Sequence, residues 1–172
     1  MIVTGYEVKF DSYHEALVFA FRCAGQASPP PTPIAKLMRG PVSSGHGLAG
    51  LEAAAQAGFI RAEVGAMAPV LRNIIVARFA FEEKERLAAL IELIPHAAAQ
   101  LGTGINSRRM VDTLVQRYFG ARVFLNDLAE QVGVHASSAT RAWQKIRDRL
   151  RADEDRADEE IGDRLRAAGV TP

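Results

Sequence analysis

Apolar positions recur at intervals of three and four residues along most of this chain, and the every-second-residue alternation of strands is nearly absent. Residues 1–10 alternate weakly and read as a short strand or an extended lead. From Tyr13 the period becomes helical: Leu17, Ala20, Phe21 and Ala24 share a face, with Asp11 or Ser12 as the N-cap and Gly25 as the stop. The segment QASPPPTP (26–33) cannot continue a helix, because proline removes donors and restricts the residue before it; it reads as a stiff connector. Residues 34–39 predict a short helical turn, and GPVSSGHGLAG (40–50) a loop.

Helical spacing then dominates. Residues 51–64 form an alanine-rich helix weakened by Gly58. Pro69 opens another, with Leu71, Ile74, Ile75, Arg78 and Phe79 on one face, since proline is tolerated in a first turn. A helix over 87–94 is expected to break at Pro95, with a further turn at 96–101 and a clear stop at Gly102-Thr103-Gly104. Asn106 or Ser107 caps the next helix, 108–119, whose apolar residues are Met110, Val111, Leu114, Val115, Tyr118 and Phe119; Gly120-Ala121 ends it. The pattern predicts an all-α fold. A mainly helical leader domain (1–104) precedes a helix-turn-helix domain (105–151) and a charged helical tail (152–172).

The stretch LNDLAEQVGVHASSATRAWQKIRDRL (125–150) carries the clearest chemistry. It reads as a helix, a tight turn and a second helix, the arrangement that enters a DNA major groove. Ala129 is small enough for a close crossing, and Gly133 can take positive φ without a steric cost. Leu128, Val132 and Val134 supply apolar contacts around the turn. Ala139, Ala142 or Trp143, Ile146 and Leu150 continue the inner face of the second helix, and alanine stands at 139 where a bulkier β-branched residue is usual. The outer face carries Ala136, Ser137, Ser138, Thr140, Arg141, Gln144 and Lys145. Small polar residues permit close approach to base edges, Arg141 and Gln144 suit guanine or adenine edges, and Lys145 and Arg147 suit phosphates. His135, at the turn, suits either a phosphate contact or a helix cap. The expected double-stranded DNA contacts are therefore His135, Ser137, Ser138, Thr140, Arg141, Gln144, Lys145 and Arg147. Trp143 is assigned to packing, because this module reads duplex DNA.

Charge supports the same segment. The formal net charge of +1 hides a segregation: residues 1–107 hold nine basic and nine acidic side chains, 108–151 nine and four, and 152–172 three and seven. The basic excess thus coincides with the helix-turn-helix, where phosphates would be met. At 48% hydrophobic, the 172 residues suffice for a packed core. There is no apolar run of about 18 residues, so no membrane span is expected. The acidic N-terminal residues do not resemble a secretory signal, and a cytoplasmic protein is expected. The single cysteine, Cys23, excludes an internal disulfide and a cysteine-rich zinc site. GTG at 102–104 lacks the lysine and hydroxyl residue of a phosphate loop, GHG at 45–47 is no hydrolase motif, and His14, His46, His96 and His135 lack metal-ligand spacing. No enzyme, metal or cofactor is expected.

Residues 110–151 resemble region 4 of bacterial sigma factors. The apolar helix ending LVQRYFG (114–120) precedes the helix-turn-helix at the distance seen there, and LNDLAEQVGV (125–134) matches that family's helix and turn without a gap. MAPVLRNIIVARFAF (67–81) is similar to the same lead-in, without a helix-turn-helix after it. The overall plan resembles the phage late-gene antiterminators, short helical proteins with a sigma-region-4-like helix-turn-helix near the C-terminal end. That resemblance implies a transcription regulator in a bacterial host's cytoplasm. Such a protein binds near a late promoter and engages paused RNA polymerase, making it resistant to terminators. Some relatives carry a cysteine-based zinc site, which this chain cannot build. Two other classes also fit a helix-turn-helix: a small terminase-like packaging protein, and a protein-interaction module without DNA affinity. The apolar stripe Leu150, Ala157, Ile161 and Leu165 extends the second helix into the tail. It suits either packing back on the N-terminal helices or a homodimer contact.

Overall fold

The computed structural model describes residues 10–25, 51–101 and 108–172. The expectations for residues 1–9, the proline-rich connector, the 34–39 turn, the 40–50 loop, the 102–104 break and the Asn106 or Ser107 cap lie outside them. The fold is all-α. Its helices are α1 (Tyr13–Gly25), α2 (Leu51–Gly65), α3 (Pro69–Phe79), α4 (Glu83–Ala98), α5 (Arg108–Tyr118), α6 (Leu125–Val132) and α7 (Ala136–Ala167). The chain divides into two compact units, one of Met1–Met67, Phe79–Glu82 and Glu159–Pro172, the other of Ala68–Arg78 and Glu83–Asp158.

In the first unit α1 packs on α2. Ser12 is the N-cap of α1: its Oγ accepts the Glu15 N–H at 3.3 Å, while the Glu15 carboxylate accepts from the Asp11 N–H at 3.0 Å. This is a variant of the reciprocal capping box. Ala16, Leu17, Ala20 and Phe21 of α1 are buried, as are Ile60 and Val64 of α2. The end of α7 belongs to the same unit. Ile161 and Leu165 are 0% exposed. Gly162 lies so near α1 that a Cβ there would meet Tyr13 Cδ1 at 3.7 Å. Arg164 pairs with Glu63 at 3.6 Å and donates to the Ala66 carbonyl at 3.4 Å. The end of the stripe, Ile161 and Leu165, is therefore buried in the unit that holds the N-terminal helices.

In the second unit α4 packs on α5, and α5 on α6. Met110, Val111, Leu114 and Val115 of α5 are fully buried. The expected break at Pro95 does not occur. Helix α4 starts earlier, with Glu83 and Glu85 in its first turn where the helix dipole favours acids, and it passes through Pro95 to Ala98. Proline forfeits its own hydrogen bond there, but its carbonyl still accepts the Ala99 N–H at 3.1 Å. The burial of Leu90 and Leu93 before it and of Ala97 and Leu101 after it offsets a proline cost of about 3 kcal/mol. The separate turn expected at 96–101 is the end of this same helix, tightened by bonds from Gln100 to Ala97 and from Leu101 to Ala98.

Candidate nucleic-acid interface

The turn between α6 and α7 is built on Gly133. Its φ of 69° and ψ of 33° place it in the left-handed region, which glycine enters without the Cβ penalty. The Gly133 N–H reaches the Glu130 carbonyl at 3.2 Å and the Val134 N–H the Ala129 carbonyl at 2.9 Å. That pair of bonds is a Schellman stop, and it satisfies carbonyls a helix end would leave unpaired. On either side of the turn Leu128, Ala129 and Ala139 are buried. Along α7 the inner face runs through Ala142, Ile146 and Leu150, exposed by 1%, 0% and 0%. Ala142 rather than Trp143 therefore holds the inner position.

His135 starts α7. Its carbonyl accepts the Ser138 N–H at 2.8 Å and the Ala139 N–H at 3.2 Å. Its ring nitrogen Nδ1 accepts the Ser137 N–H at 3.3 Å and lies 2.9 Å from the Ser137 hydroxyl. One side chain thus caps the helix, which is one of the two roles expected for it.

Ser137, Thr140, Arg141, Gln144, Lys145 and Arg147 are exposed, and Ser138 is half-buried. Ser137, Thr140, Arg141 and Gln144 follow one another at three, one and three residues and so share the outward stripe of α7. Their polar atoms are partly committed. The Thr140 hydroxyl donates to the Ala136 carbonyl at 3.0 Å, which leaves its methyl group and oxygen lone pairs. Arg141 Nε donates to the Ser137 carbonyl at 3.3 Å, which leaves its two terminal nitrogens as donors. Arg147 is the exception. Its guanidinium bonds to the Asp148 carboxylate at 2.7 and 2.9 Å, so its charge is matched locally.

The basic excess of residues 108–151 is also partly spent on structure. Arg117 donates to the Val123 carbonyl, and its guanidinium carbon stands 5.0 Å from the centre of the Trp143 ring. It ties the end of α5, the following turn and α7 together, and accounts for the half-buried tryptophan. Arg149 turns to Asp153, 2.9 Å from its carboxylate. Asp153 is only 2% exposed and is also reached by His96 Nε2 at 2.7 Å and by Arg156 at 3.5 Å. His96 Nε2 also lies 3.3 Å from Arg149 Nε, so the three side chains form one cluster around the carboxylate. Nearby, Arg78 donates to Glu154 Oε1 at 2.8 Å and the Tyr118 hydroxyl donates to Glu154 Oε2. Burial, then the hydrogen bond and charge of Glu154, hold the Tyr118 phenol well above its ordinary pKa. Arg122, in the turn before α6, is exposed and suited to a phosphate. It escapes a reading of the second helix alone, although it belongs to the basic run.

Among the described residues no group of histidine, cysteine and carboxylate side chains could hold a metal, and no helix is long and apolar enough to cross a membrane. No protein-family model and no curated protein matches this chain.

Proposed function

We propose that this protein is a sequence-specific double-stranded-DNA-binding regulator of transcription, reading its site with the first three turns of α7. The observation that carries the reading is the division of that helix. Ala139, Ala142 and Ile146 are buried on one side, and Ser137, Thr140, Arg141 and Gln144 are exposed on the other, directly after a three-residue turn closed by Gly133. Small side chains at the start of the helix let the backbone approach a groove floor. The free terminal nitrogens of Arg141 suit the O6 and N7 acceptors of guanine, the Gln144 amide suits adenine, and the Thr140 methyl suits thymine. His135, Lys145 and Arg122 suit phosphate contacts.

The resemblance of residues 110–151 to sigma region 4 makes RNA polymerase the proposed second partner and late-gene antitermination the proposed outcome. Selection of duplexes from a randomised pool by the full chain tests the reading. A single enriched motif, bound with an affinity that falls steeply with salt, is expected. Absence of enrichment, with salt-independent or no binding, would leave a protein-interaction module instead.

A further inference from the structure

The second unit keeps an apolar surface on α4 that its own core does not use. A groove of about 370 Å³ lies between α4 and the start of α5, with Ile91, Ile94 and Pro95 in its α4 wall. It continues along α4 as a ridge: Leu87 is 43% exposed and Ile91 55%, at the four-residue spacing that aligns them. The groove's two walls carry opposite charges. Glu92 stands on the α4 wall and Arg108 on the α5 wall; both are exposed, and neither forms an ion pair among the described residues.

We infer that this surface binds a second copy of the chain about a two-fold axis, with α4 against α4. A self-complementary patch must present both halves of every contact, and this one does. Antiparallel pairing sets the Leu87–Ile91 ridge of each copy into the groove of the other. It brings each Glu92 to the other copy's Arg108. A nucleic acid would be repelled by Glu92, and a uniformly acidic or basic protein surface would leave one of the two charges opposed. The apolar stripe of α7 is buried and not available to a helical dimer, whereas Leu87 and Ile91 of α4 stand exposed side by side. The patch is small, so the association it supports is of the micromolar kind.

Sedimentation equilibrium of the full chain without DNA tests the inference independently of the DNA-binding reading. Across about 1–100 µM, the mass is expected to climb from 18.7 kDa toward twice that value. Ile91→Glu is expected to weaken association by about 30-fold or more. Glu92→Arg is expected to weaken it too, and the double change Glu92→Arg with Arg108→Glu to restore it. Leu87→Glu provides a second probe of the ridge, and far-UV circular dichroism confirms that each variant is folded. A wild-type chain that stays monomeric over this range, or a dimer that both Ile91→Glu and Leu87→Glu leave intact, would overturn the inference.

Discussion

The turn that orients α7 makes a quantitative prediction at Gly133. A Cβ placed on this residue would meet nothing within 4 Å, so an added methyl group there brings no steric clash. What remains is backbone strain at φ 69°. Left-handed backbone costs an L-residue roughly 1–2 kcal/mol. Alanine recovers part of this by restricting the unfolded chain, by about 0.4–1 kcal/mol, so Gly133→Ala should destabilise by about 1 kcal/mol. Asparagine visits this region more readily, and Gly133→Asn should cost only a few tenths. A β-branched side chain is a genuine outlier there, and Gly133→Val should cost about 2 kcal/mol. For a chain of this size about 1 kcal/mol corresponds to a 2–4 °C shift in Tm. Urea titrations followed by circular dichroism give the order directly: Gly, Asn, Ala, Val, from most to least stable. An alanine variant as stable as the wild type, or an asparagine variant as damaged as the valine one, would refute the left-handed turn.

Two further predictions concern the interior of the second unit. Ile146→Ala empties a fully buried site on α7 and should cost about 2–5 kcal/mol, measured by the same titration; a loss below ~1 kcal/mol would place Ile146 at the surface. Tyr118 has a folded-state pKa above its ordinary value of 10.0, so its contribution to stability is complete below that pH and is lost as pH rises beyond it. Absorbance titration of wild type against Tyr118→Phe should show that the phenol removed ionises above pH 10.0; a component ionising at or below that pH would contradict the Glu154 contact.

The parts of this fold legible in the sequence are those fixed by short-range rules. Gly133 and the apolar spacing around it locate the end of α6 and the start of α7 because a left-handed residue and a helical period are local properties. The outward stripe from Ser137 to Gln144 follows once Ala139, Ala142 and Ile146 are set inward. Pro95 misleads, because its local cost is overridden by the burial of Leu93, Ala97 and Leu101 on a helix that packs against α5. Asp153 is the harder case. It occupies an inward position between Leu150 and Ala157, and a carboxylate there reads as surface until His96, 57 residues away, and Arg149 are brought to it. The basic excess overstates the unmatched charge for the same reason: Arg117 and Arg149 turn to partners that spacing does not reveal, and Arg147 is matched by Asp148.

The most direct test of the central claim is the binding of wild type and Arg141→Ala to the selected duplex and to a scrambled one, at one fixed salt concentration. Arg141 is exposed and its helix is anchored from the opposite face, so the variant should melt with the wild type. Loss of a guanine contact should weaken binding to the selected duplex by about 1–3 kcal/mol, roughly 5- to 150-fold, while binding to the scrambled duplex stays nearly unchanged. Equal affinity of the two proteins for the selected duplex would contradict the assignment of α7 as the helix that reads DNA.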